Sequence, residues 1–147
     1  MKTRQIKDII SKPSEALQAM VDGLKAQSER EDFVIDMDSY GTHDYKICYG
    51  CAATCTIQQL TGKKLTSKNI DETSDRAKFL KLDEYDLDDF EFIMNNVRSG
   101  YYIEGLLQYF NITKRVKRPC FSLKSHNWKE EIPKVKKYIK YLQEKGL

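Results

Sequence analysis

The chain has few residues that break regular structure: seven glycines and three prolines in 147 residues. That scarcity argues against a loop-rich or linker-jointed protein, and no repeat or low-complexity tract interrupts the sequence. No apolar run approaches the roughly 18 residues that a membrane-spanning helix needs. The segment Met1 to Ile10 holds no signal-peptide core and no small-residue cleavage site, so the expected setting is cytoplasmic. There is no GxGxxG, P-loop, HExxH or GxSxG pattern, which leaves out the commonest nucleotide, zinc-protease and serine-hydrolase signatures. No helix-turn-helix, zinc-finger or RNP pattern is found either. Histidine is nearly missing, with two residues, His43 and His126. General-base and metal chemistry therefore have few places to sit.

What is present suits one globular domain, 1–147. At this length roughly 70% of the unfolded surface can be buried, so neither metal nor disulfide is needed for folding, and no cofactor is expected. The four cysteines, in a reducing compartment, are expected as free thiols.

Periodicity predicts helices over most of the chain. Leu17, Met20, Val21 and Leu24 fall at i, i+3, i+4 and i+7 after Ser11-Lys-Pro13, and the helix should end near Ser28. A helix should open near Tyr49 to Cys51 and stop at Gly62. Asp86 reads as the N-cap of another, with Asp88 and Asp89 in its first turn and Leu87, Phe90, Ile93, Met94 and Val97 as its apolar stripe. Tyr102 to Phe110 gives a further helix. Ile132, Val135, Ile139 and Leu142 give the last, with Pro133 in its first turn. Phe33-Val-Ile-Asp-Met37 alternates as a short strand or strap. Asp38 to Asp44 reads as turn and loop, and Val116 to Leu123 as extended. The fold class is mainly α: about six helices around a central Cys/Ala-rich helix, with one or two short extended segments.

Three cysteines lie within eight residues, Cys48-Tyr-Gly-Cys51-Ala-Ala-Thr-Cys55, and they support three readings. As a zinc site they would use Cys48, Cys51, Cys55 and His43, but the second half-site of a usual zinc motif is missing. Cys48 and Cys55 would also stand about 10 Å apart along one continuous helix, too far for a single ion. As a nucleophile, Cys51 would open a helix begun at Gly50, where the dipole lowers a thiol pKa. His126 or His43 would serve as base, with Asp44 or Asn127 as orienter. Gly50-Cys51-Ala-Ala loosely resembles the opening of the cysteine helix in papain-like and bacteriocin-processing proteases. The confirming motifs of those families are missing here, so no membership is inferred. As packing, the cysteines are small hydrophobes grouped within about 60° of one helix face, with Ala52, Ala53, Ile57 and Leu60 widening that face. Cys120, beside Pro119, is expected to be half-buried.

Charge is unevenly distributed. Asp71 to Glu91 holds nine acids against three bases, and Lys114 to Lys145 holds eleven bases against three acids. These segments either face each other or form two poles. The expected function is binding or regulation through protein–protein interaction with a charge-separated surface. Its candidate contacts are Lys134, Lys136, Lys137, Lys140 and Tyr141 at one pole and Asp86, Asp88 and Asp89 at the other. Catalysis is not expected. The alternatives are a cysteine-dependent site at 48–55 and nucleic-acid binding by the basic last helix, where Tyr138 and Tyr141 would stack on bases.

Overall fold

The computed structural model describes residues 3–147. Six α-helices and a small three-stranded sheet make up the described residues, preceded by a short 3-10 turn at Ile6–Asp8. The architecture is thus mainly α with a few strands.

Helix α1 spans Pro13–Ser28, with Pro13 at its first position, where a missing N–H costs no hydrogen bond. Its predicted stripe is its buried face: Leu17, Met20 and Leu24 are fully buried and Val21 nearly so. Each such side chain contributes about 1.5–3 kcal/mol on burial.

Strands β1 (Phe33–Ile35), β2 (Thr42–Asp44) and β3 (Ile47–Gly50) form one sheet in the order β1-β3-β2. β1 runs parallel to β3, with Phe33 opposite Cys48 and Ile35 opposite Gly50. β2 pairs antiparallel with β3 across a turn at Tyr45, which takes a left-handed φ of 55°. Residues 42–44, read from sequence as loop, are therefore a strand. All three are exposed, so they carry no apolar alternation; pairing with the free edge of β3 makes them a strand. The sheet also exceeds the one or two extended segments expected.

Helix α2 (Ala52–Thr61) follows β3 directly, with Cys51 as its N-cap. Gly62 ends it in the left-handed conformation, its N–H bonded to the Gln58 carbonyl, as the sequence implies. Every residue from Ala52 to Gln58 is buried. α2 packs on α1 and α4.

Helix α3 is Thr73–Leu80 and α4 is Glu84–Val97. The N-cap of α4 is Asp83, not Asp86: the Asp83 carboxylate accepts the Asp86 N–H at 3.0 Å. Asp86 lies one turn further in and does different work. Its two carboxylate oxygens accept the Ile6 N–H and the Tyr109 hydroxyl, each at 2.7 Å, tying the N-terminal turn and the next helix to α4. Helix α5 spans Ile103–Tyr109 and α6 spans Trp128–Glu144. Pro133 is inside α6 rather than in its first turn, because Trp128 starts the helix earlier than the apolar stripe suggests. It leaves the carbonyl one turn back without its helical partner.

Candidate functional site

The backbone break after Gly50 decides how the three cysteines sit. Cys48 is on β3, Cys51 caps α2, and Cys55 is one turn inside α2. They do not share one helix face, so the stripe geometry expected from sequence does not hold. The extended β3 simply cannot continue the helix. Gly50 is required at the join: a Cβ there would come within 2.9 Å of the Phe33 ring and of the Thr54 side chain.

All three thiols are fully buried. Cys51 stands where a helix dipole would activate it, and the amides of Thr54 and Ala53 do favour its thiolate, but burial outweighs them and pushes the thiol up. Burial raises Cys48 as well, and raises Cys55 well above the ordinary thiol value. The polar neighbour of the Cys51 sulfur is Thr54 Oγ1 at 3.8 Å, and Thr54 in turn donates to the Tyr40 carbonyl.

Neither histidine joins them. His43 lies exposed on β2, its Nδ1 2.8 Å from Asp71 Oδ1. His126 is exposed in the loop before α6, next to Asn127, whose carboxamide accepts the Lys124 N–H at 2.7 Å. Asp44 is exposed at the end of β2. Among the described residues, no group of three or more His, Cys, Asp or Glu side chains is placed to hold a metal ion. Cys120 is exposed rather than half-buried, the only free cysteine of the four on the surface.

A buried ion pair lies beneath the acidic segment, one that sequence reasoning missed. Arg76 Nε and Nη2 meet the two Glu91 oxygens at 2.8 Å each, and both side chains are 2% exposed. Arg76 also donates to the Ile70 carbonyl and Thr73 Oγ1. Burial pushes the Glu91 carboxyl up, and Arg76 opposes it. Above the pair opens a cleft of about 390 Å³ lined by Tyr40, Asp71, Asp88, Asp89 and Phe92 among others. Asp88 and Asp89 are exposed there, while Asp86 is half-buried in its network. The only sequence signal for the pair was that Arg76 interrupts a run of acids.

In the basic segment, Lys134, Lys136, Lys137 and Lys140 project from the exposed side of α6. Lys134 pairs with Glu131 at 3.0 Å, within its own helix. The tyrosines are less available than the sequence implies. Tyr138 is buried and packs edge-on to Phe121. Tyr141 is half-buried beneath Lys117 and Lys145, with its hydroxyl accepting the Lys117 N–H. α6 packs chiefly on α1, while α3 packs on α4 and α4 packs on α2 and α5 as well.

No known protein family, curated protein or solved structure matches the chain. No helix among the described residues is long and apolar enough to cross a membrane.

Proposed function

We propose that the chain is a small single-domain, cytoplasmic binding or regulatory protein that engages a protein partner through its charge-separated surface, with α2 as the buried hub of the fold. The observation that carries this reading is that the two charged segments do not neutralise each other. Among the described residues no ion pair links residues 71–91 to residues 114–145. Both fields therefore face outward, where they steer and select a partner of complementary charge. One connected core, from Ile6 to Leu147, supports the single-domain reading.

Binding is favoured over thiol chemistry by the state of Cys51. A nucleophile must be reachable and ionisable, and Cys51 is sealed and held protonated. Base stacking is disfavoured because Tyr138 and Tyr141 already have their rings covered. Crosslinked affinity capture at low salt should recover a partner that is released as ionic strength rises. A clean preparation that holds nothing at low salt would contradict the reading.

A further inference from the structure

From Thr113 to Leu123 the chain crosses the surface between α5 and α6 with no helix, turn or bend. Lys117 anchors this strap. Its N–H donates to Tyr141 Oη at 2.8 Å, and its carbonyl accepts from Tyr138 Oη at 2.6 Å. In an extended chain the N–H and C=O of one residue face the same edge, and those of its neighbours face the other. With Lys117 turned toward α6, the peptide groups of Val116 and Arg118 turn away, and Lys114 repeats that direction. Among the described residues none of these three N–H groups has a hydrogen-bond partner. These unpaired N–H groups leave the strap with backbone donors that no strand of the fold uses.

A groove of about 470 Å³ opens between α5 and the start of the strap, lined by Leu107, Ile112 and Val116, with Lys114 and Arg115 as its cations and Glu104 as its one acid. Lys114, Arg115, Lys117 and Arg118 put four cations on the strap, and none has a carboxylate partner among the described residues. Arg118 rests instead over the exposed ring of Tyr101, 4.7 Å from its centroid. Four like charges repel the strap of a second copy, and the same charges attract an acidic strand.

We propose that the strap is a docking edge for an extended acidic segment of the partner protein. That segment adds as a β-strand along Lys114 to Arg118 and seats an apolar side chain in the groove. This rests on the reading of the chain as a charge-dependent protein binder and names the chemistry of the partner.

The test uses fluorescence anisotropy on the full chain at low salt. The probes are a short labelled peptide alternating Glu or Asp with Val or Ile, the same peptide N-methylated at alternate amides, and an oligothymidine strand. The expected result is binding of the first probe, weakened at least about tenfold by N-methylation and by the Lys114→Glu/Arg115→Glu double variant. Both substituted side chains are exposed, and circular dichroism checks that the variant stays folded. Equal binding of the N-methylated peptide would reduce the strap to a charged patch and overturn the proposal. So would preferential binding of oligothymidine, concentration-dependent dimerisation blocked by no peptide, or no peptide binding at all. A partner retained by the strap variant but lost on reversal of Lys136 and Lys137 would sink the strap while leaving the broader function standing.

Discussion

Gly23 of α1 lies directly against the carbonyl of Cys55 in α2, and a Cβ at Gly23 would overlap that oxygen. The contact brings the two helix backbones together and seals the cysteine turn. An exposed helical Gly→Ala change is ordinarily stabilising by about 0.5–1 kcal/mol. Here the sign should reverse, because a backbone carbonyl is not free to move aside. Gly23→Ala should destabilise by about 1–3 kcal/mol in urea unfolding. A neutral or raised midpoint would show that α1 and α2 are less closely apposed.

The buried pair of Arg76 and Glu91 makes a second case. Glu91→Gln leaves the guanidinium buried beside a neutral group, and the expected loss is about 3–5 kcal/mol. Replacing both together, Arg76→Met with Glu91→Leu, should lose much less, since no unpaired charge remains. Additive losses in the double-mutant cycle would show that the two side chains act independently.

Thiol labelling distinguishes sealed cysteines from reactive ones. In the native protein one thiol, Cys120, should react with an aromatic disulfide reagent at neutral pH. Cys48, Cys51 and Cys55 should react only at the rate of unfolding. A second rapid thiol that maps to Cys51 would restore the chemical reading of the cluster.

The same burial sets an alkaline limit on stability. The folded-state values of Cys48, Cys51 and Cys55 are raised above the reference value of 9.0. The unfolded chain therefore releases these protons at lower pH than the fold does. The stabilisation is complete below about pH 9 and is lost as pH rises from there toward the folded values. Melting temperature should hold steady to about that pH and then fall, and Cys55→Ala should flatten the fall. A slope unchanged in that variant would assign the alkaline limb to other groups, such as Tyr109 and Tyr138, which burial also raises.

The helices were legible in the sequence where one face alone does the packing. Leu17, Met20, Val21 and Leu24 announce α1 because their 3.6-residue spacing matches the face they bury. Gly62 announces the end of α2 because a left-handed residue there favours glycine. The hairpin was hidden, since Thr42, His43 and Asp44 are all exposed and owe their strand to the backbone of β3. The true start of α2 was ambiguous because cysteine is not among the usual capping residues, and both sides of Gly50 are apolar. The Arg76–Glu91 pair was invisible for a different reason. A charged residue within a charged run reads as solvated face, and only the tertiary fold turns these two inward.

The most direct measurement takes the partner recovered by crosslinked capture and determines its affinity for three proteins across ionic strength. These are the wild type, a Lys136→Glu/Lys137→Glu/Lys140→Glu variant and an Asp88→Lys/Asp89→Lys variant. All five side chains are exposed, so the fold should survive each set. If the charge-separated surface is the binding device, reversal of at least one pole weakens binding about tenfold or more at low salt, chiefly through a slower on-rate, and the difference shrinks as salt rises. Equal affinity of all three proteins at every salt concentration would contradict it.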